Sequence, residues 1–362
     1  KWGFIGCGEV TKHKSGPAFQ KVEGSEVIAV MSRDGAKAKA YAQERGIPKW
    51  YNDAQELIDD EDVNAIYIAT PPSSHATYAI MAMKAGKPVY IEKPMAVTYE
   101  ECCRINRISN ETGVPCFVAY YRRYLPYFLK VKELVDNDTI GNIINIQIRF
   151  AQPPRDLDYN KENLPWRVQP DIAGGGYFYD LAPHQIDLLQ DMFGCILEAN
   201  GYKSNRGGLY PAEDTLSACF QFDSGLVGSG SWCFVAHDSA REDRIEVIGD
   251  KGMICFSVFT YDPIALHTEK GREEIPVENP GKLSNLSIVP PVCPSPRPLI
   301  LAIFTPQAAT IGVRARDVLS PTPPVLCLST FTPCIPDKSS ISPLSAIAMV
   351  RYRVSSSLIP WK

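Results

Sequence analysis

The first eleven residues constrain this chain more than any other stretch. Trp2–Ile5 is a short apolar run with the makeup of a buried strand, and Gly6-Cys7-Gly8-Glu9-Val10-Thr11 comes directly after it. Two glycines at a strand end allow a tight turn and let a pyrophosphate approach the backbone. The next helix then points its first N–H groups at the phosphates. Gly6, Gly8, Glu9 and Val10 are therefore candidate dinucleotide-binding residues. The third position of the fingerprint, normally Gly or Ala, is Thr11, and a β-branched residue there is expected to space the helix further from the strand. Taken alone, the pattern fits an ordinary strand and turn equally well.

The next hundred residues give the pattern its meaning. Val27–Met31 is an apolar run of the kind buried on both faces in a parallel sheet. Residues 36–45 read as a helix closed by Gly46 and Pro48, and 53–60 as a shorter one. A third strand is expected over 65–69, a helix over 77–85 stopped by Gly86, a fourth strand over 89–91 and a fifth over 114–119. Strands alternating with helices over about 120 residues predict an α/β doubly wound parallel sheet, a Rossmann domain spanning 1–120. Cofactor choice turns on the end of the second strand, where an acid would grip a ribose 2′-hydroxyl and an Arg would accept a 2′-phosphate. The chain offers Ser32-Arg33-Asp34. Ser32 and Arg33 tilt the expectation from NAD toward NADP, with a solvated Arg at a helix start as the alternative.

Four further clusters carry chemistry. Glu92-Lys93-Pro94 comes directly after the fourth expected strand, at the sheet edge where open α/β folds bind ligands. A Lys there can donate to a substrate hydroxyl and favour its alkoxide; a surface Lys in a turn is the plainer reading. Gly174-Gly175-Gly176 precedes Tyr177-Phe-Tyr-Asp180-Leu-Ala-Pro-His184, so Asp180 and His184 fall at i and i+4 on one helix face. Such a pair can hold an imidazole and set its proton affinity near working pH, although a capped helix with a satisfied core His has the same pattern. No third ligand at suitable spacing supports a metal site. Trp166-Arg167 and Tyr121-Arg122 each place an aromatic face and a cation where a polar substrate would sit, or else form a packed hinge.

Composition excludes several classes. The 362 residues carry a formal charge of −4, which argues against the basic field of nucleic-acid binding. No run reaches the length of a membrane span. The eleven cysteines are scattered, with no C-x-x-C, which suits free thiols in a reducing cytoplasm. The chain opens directly on a strand, so no secretory leader is expected. The charge is uneven: residues 281–362 hold 2 acids, 8 bases, 13 Pro and 12 Ser. That tail shows neither a helical nor a strand period. It reads as foreign to the preceding fold, as if translated out of frame, or as a natural Pro/Ser-rich linker.

With these motifs in order, the chain resembles the Gfo/Idh/MocA oxidoreductases over roughly residues 1–280. The matching pieces are Gly6-x-Gly8, Ala69-Thr70-Pro71-Pro72 with His75, Glu92-Lys93-Pro94, the Tyr-Tyr-Arg-Arg stretch at 120–123, and the glycine run leading to Asp180 and His184. The resemblance implies a Rossmann domain followed by an α+β domain (121–280) with a large, open, mostly antiparallel sheet. Strand-like segments at 144–150, 216–222, 226–234, 244–248 and 253–258 agree with it. It further implies hydride transfer between NAD or NADP and the hydroxyl carbon of a sugar, polyol or similar alcohol, by a cytoplasmic homodimer or homotetramer. Lys93 would bind the reactive hydroxyl, His184 would be the acid/base, and Asp180 would orient the substrate or His184. Thr70, Pro71, His75, Glu92 and Lys93 would join the cofactor site. Tyr121, Arg122, Trp166 and Arg167 would contact substrate, and a cis Lys93–Pro94 bond would aim the Lys. Two alternatives remain: a glycosidase that uses bound NAD only transiently, and a cofactor-sensing regulator without turnover.

Overall fold

The computed structural model describes residues 1–279 and the dipeptide Val313–Arg314. The expectation of a foreign tail over 281–362 otherwise lies outside the described residues.

The first 118 residues build a parallel sheet from β1 (Trp2–Ile5), β2 (Val27–Met31), β3 (Lys49–Tyr51), β4 (Ala65–Ile68), β5 (Val89–Ile91) and β6 (Cys116–Val118). The order is β3-β2-β1-β4-β5-β6, every pairing parallel. This is the doubly wound arrangement, and the order reverses between β1 and β4, where a crevice opens at the strand carboxyl ends. The connecting helices are α1 (Glu9–His13), α2 (Gly16–Phe19), α3 (Gly35–Arg45), α4 (Ala54–Asp59), α5 (His75–Lys84) and α6 (Tyr99–Thr112). Local chemistry sets their ends. Asp34 Oδ1 caps α3 by accepting from the Lys37 N–H at 3.1 Å, and Gly46 closes it in the left-handed region at φ 65°. All five β2 residues are buried, as the unbroken apolar run requires.

One strand departs from the sequence expectation. Lys49-Trp-Tyr51 forms the sheet edge, three residues long and only partly buried, so it carries no apolar run to betray it. It makes the strands expected as third, fourth and fifth the fourth, fifth and sixth of the sheet. The last of them narrows from 114–119 to Cys116–Val118.

After α7 (Pro126–Asp136), the chain enters a second sheet. Its strands are β7 (Ile143–Ala151), β8 (Ile196–Ser204), β9 (Thr215–Phe222), β10 (Val227–Cys233), β11 (Glu242–Gly249), β12 (Gly252–Phe256), β13 (Ile264–Thr268), β14 (Gly271–Ile275) and β15 (Val313–Arg314). The order is β14-β13-β12-β11-β7-β10-β9-β8-β15, with only β7 and β10 parallel. The expected mostly antiparallel sheet is therefore present. The strands missed by sequence, β8, β13 and β14, lack clean alternation; β14 is an exposed edge rich in charge.

Two more helices, α8 (Pro170–Ala173) and α9 (Tyr177–Phe193), precede β8. Helix α9 is buried nearly all round. Phe178 meets Trp232 edge-on at 5.0 Å, and the Trp232 Nε1–H donates to Gln185 Oε1 at 2.7 Å. Trp232 is wholly buried, and truncating such a side chain costs about 3–5 kcal/mol. This packing anchors α9 on the second sheet, while the N-terminal turns of α9 face the crevice of the first. Among the described residues, no helix is long and apolar enough to cross a membrane.

Candidate active site

The crevice begins at the glycine turn. Gly6 sits at φ +118°, and a Cβ there would lie 2.7 Å from the Ala69 carbonyl oxygen, so the close approach of β1 to the end of β4 demands glycine. Gly8 is different: its backbone is extended and a Cβ would meet nothing within 4 Å. Its α-carbon faces open cleft, the cradle a pyrophosphate needs. Thr11 is buried, and its hydroxyl donates to the Gly8 carbonyl at 2.9 Å, so the β-branched residue is accommodated with its polar atom satisfied.

Gly6, Gly8, Glu9, Val10, Ser32, Arg33, Thr70, Pro71, Glu92 and Lys93 all line one cleft of about 1030 Å³. Lys37, on α3, joins Ser32 and Arg33 at its nucleotide end. His75 does not line the cleft. It is fully buried, with Nδ1 3.0 Å from the Pro94 carbonyl oxygen and Nε2 2.8 Å from that of Thr70. In place of the expected cofactor contact, His75 is wedged between the loop after β4 and the Lys93–Pro94 turn, its single N–H donating to one of these two carbonyls. That Lys93–Pro94 bond is cis.

Tyr67 donates to the Glu92 carboxylate and lies 2.7 Å from Ser15 Oγ. Burial pushes the Glu92 carboxyl above its ordinary range, against the opposing hydrogen bond from Tyr67 and the charge of Lys93.

At the other end of the cleft, β5 and α9 meet. Lys93 Nζ donates to Asp180 Oδ1 at 2.6 Å and to the Asp180 carbonyl at 2.9 Å, while Arg167 Nε lies 3.2 Å from Asp180 Oδ2. Of the two roles expected of Asp180, orienting the imidazole one turn on has no hydrogen bond to carry it among the described residues. Its carboxylate instead spends both oxygens on two cations, the stronger partners for a buried charge. Burial would raise the Asp180 carboxyl, but Lys93 and then Arg167 overcome that and hold it below the usual range.

His184 is 4% exposed, and its Nδ1 is buried without a hydrogen-bond partner among the described residues. Its ring meets those of Tyr121 at 5.8 Å and Phe259 at 6.1 Å. Burial, reinforced by Lys93, Arg122 and Lys14, holds its pKa well below the ordinary value, so the ring is neutral at neutral pH. A neutral imidazole beside an ammonium is equipped to accept a proton from a hydroxyl that the ammonium polarises.

Tyr121, Arg122, Trp166 and Arg167 also line the cleft, as expected. Arg167 stacks on Trp166 at 4.4 Å, and Arg122 lies 4.8 Å from the Phe259 ring centre. Sequence reasoning missed Lys14, Lys37, Arg155 and Phe259. Each stands in a stretch with no glycine run or motif to single it out. Among the described residues, no group of three His, Cys, Asp or Glu side chains is placed to hold a metal ion.

Comparison with known proteins agrees with this geometry. Residues 1–120 match the profile of an oxidoreductase family with an NAD-binding Rossmann fold, and residues 128–255 match the GFO/IDH/MocA C-terminal domain. Oxidoreductase P35 of Formosa agariphila is 41% identical over 261 residues, spanning 72% of this chain and 79% of that protein. The 1,5-anhydro-D-fructose reductase of Ensifer adhaerens is 28% identical over 285 residues, 77% of this chain and 83% of that one. A levoglucosan dehydrogenase solved with NADH and levoglucosan has a TM-score of 0.68 at 26% identity, covering 80% of this chain and 84% of that one.

Proposed function

Since this chain belongs to the Gfo/Idh/MocA family of oxidoreductases, with its NAD-binding Rossmann fold, we propose that it transfers a hydride between a nicotinamide cofactor and the hydroxyl-bearing carbon of a sugar, polyol or similar alcohol. The observation that carries this reading is the meeting of Lys93 and His184 in one cleft, the ammonium from the end of β5 and the imidazole from α9.

The residues present fit a dinucleotide. Gly8 offers bare backbone to a pyrophosphate, Glu9 and Val10 continue the turn, and Thr70 and Pro71 also line the cleft. At the ribose end Ser32, Arg33, Asp34 and Lys37 all line the cleft, with Asp34 Oδ1 engaged as the cap of α3. Two cations and a hydroxyl there suit a 2′-phosphate better than a bare diol, which favours NADP.

A bound nicotinamide supplies the hydride acceptor or donor. The protein supplies the rest. In the oxidising direction, Lys93 donates to the substrate hydroxyl oxygen and stabilises its developing negative charge. His184, held neutral, takes the hydroxyl proton on a ring nitrogen. Asp180 holds the ammonium in place, and Arg167 helps keep Asp180 ionised. In the reducing direction the same imidazole, protonated, returns the proton to the carbonyl oxygen. Tyr121 and Trp166 wall the substrate end, where Tyr121 also packs against His184. The sugar-acting relatives support a polyhydroxylated substrate, and exposed Ile144, Tyr202 and Val227 on the second sheet support association of like chains.

The test is a thermal-shift titration with NAD, NADH, NADP and NADPH, then a sugar and polyol panel with the cofactor that binds best. A net change in reduced nicotinamide is expected with at least one alcohol; glycoside cleavage with no net change would point to the transient use of NAD instead. His184→Asn should lower turnover by ~10²–10⁴-fold while the cofactor still raises the melting temperature. Full activity in that variant would end the assignment.

A further inference from the structure

The catalytic end of the cleft is lined by five cations, Lys14, Lys93, Arg122, Arg155 and Arg167, against two carboxylates, Glu92 and Asp180. Lys93 and Arg167 share Asp180. Among the described residues, no carboxylate forms an ion pair with Lys14, Arg122 or Arg155. Arg33 and Lys37 stand apart from this group, at the nucleotide end beside Ser32.

Arg122 is only 9% exposed. One Nη donates to the Val258 carbonyl at 2.7 Å and to the Tyr261 hydroxyl, and its Nε is buried without a partner. The carboxylate behind it, Asp243, is occupied by the backbone N–H groups of Val258, Phe259 and Thr260. Arg155 stacks over the Tyr177 ring at 4.1 Å. That ring is itself fixed, because its hydroxyl donates to buried Asp158 at 2.6 Å. The Arg155 guanidinium is therefore held in place by its aromatic support, and no carboxylate takes its hydrogen-bonding edge among the described residues.

Arg and Lys only donate hydrogen bonds, whereas a neutral polyol presents both donors and acceptors. A cleft built for a neutral sugar needs carboxylates and amides to receive its hydroxyls; this one concentrates positive charge, with five cations to two carboxylates, and three of the cations have no carboxylate in ion-pair contact among the described residues. Gathering like charges in a partly closed cleft is costly unless an anion joins them. A planar guanidinium fork matches a carboxylate in two-point contact.

We propose that the substrate is an anionic polyol, a sugar acid of the uronate or aldonate type, whose carboxylate is held by Arg155 and Arg122 with Lys14 nearby while its carbinol faces Lys93 and His184. This rests on the reading of the cleft as a dehydrogenase site. Arg155 then acts as a substrate-binding residue that sets specificity.

The experiment compares D-glucuronate and D-galacturonate with their uronamides and with the parent hexoses, using full-length protein and its preferred cofactor. Each acid should exceed its amide in kcat/KM by about ten- to a hundredfold, and the advantage should shrink as salt rises. In Arg155→Gln the acid-to-amide ratio should fall about tenfold or more, and Arg155→Lys should retain much of it. Calorimetric titration of acid and amide into the complex with reduced cofactor gives a readout independent of turnover. Tighter binding of the acid without turnover would support this inference and sink the redox reading. Equal turnover of acids, amides and hexoses would keep the redox reading and overturn this inference. So would an acid that binds no better than its amide, or a ratio unmoved in Arg155→Gln.

Discussion

Replacing Lys93 by Met tests the geometry most directly. The Lys93 and Asp180 side chains are 15% and 16% exposed and meet at 2.6 Å. Breaking a buried pair by removing one partner costs about 3–5 kcal/mol when the other charge is stranded. Here Arg167 still reaches Asp180 at 3.2 Å, so the loss should be nearer to about 1–3 kcal/mol. In a chain of this size each kcal/mol lowers the melting temperature by about 1–2 °C, so the variant should fold and melt a few degrees lower. Activity should suffer far more. Loss of one donor at a developing oxyanion costs about 10²–10³-fold in kcat. A third effect concerns His184. After burial, Lys93 is the foremost cause of its depressed pKa. Without that cation the imidazolium is less disfavoured, so the ring holds its proton to higher pH. The base form is the one needed for alcohol oxidation, so the acidic limb of kcat/KM should move to higher pH. Steady-state rates across about pH 5–9, read by nicotinamide absorbance, measure both effects. Full turnover would refute the role of Lys93. A slow enzyme whose acidic limb has not moved would refute the electrostatic link between Lys93 and His184.

Three more outcomes are expected. Gly8→Val should melt within about 1–2 °C of the parent, since its side chain meets open space, yet lose the stabilisation that cofactor confers; retained cofactor binding would show that the pyrophosphate lies elsewhere. Replacing both Arg33 and Lys37 by Gln should lower the ratio of NADPH to NADH affinity by about tenfold or more, and an unchanged ratio by calorimetry would remove the case for NADP. Burial lowers the pKa of both His75 and His184, so each stays neutral in the fold while the unfolded chain protonates near ~6.5. Their contribution to stability is present above that pH and is lost as pH falls below it, by up to about 1.4 kcal/mol per pH unit for each. Urea unfolding at descending pH should show this slope, and His75→Gln should flatten it; a slope unaltered in the variant would contradict the assignment.

Much of this molecule was legible in one dimension. An apolar strand running into Gly6-x-Gly8 announces a dinucleotide fold because a turn and a helix start depend on residues a few places apart. The same holds for the Asp34 cap and the Gly46 stop of α3. Motif residues such as Lys93 and His184 could be named because each sits beside a glycine or proline signal or in a recognisable run. The short edge strand β3 escaped because a half-buried edge needs no apolar period.

Other features had to await packing. His75 has the look of a cofactor contact, but in the fold it is buried between the backbone carbonyls of two loops. Asp180 has the spacing of a partner for His184, four residues away, yet its carboxylate goes to an ammonium 87 residues distant, because helix α9 docks against the end of β5. Local pattern determined that there would be a Rossmann sheet, a glycine cradle and a polar cluster after it. Only the tertiary structure decided which charges pair, as Lys93 and Arg167 do on Asp180, and which, like those of Arg122 and Arg155, have no ion-pair partner among the described residues. Electrostatic pairing depends on distance through space and on burial, and neither can be read from spacing along the chain.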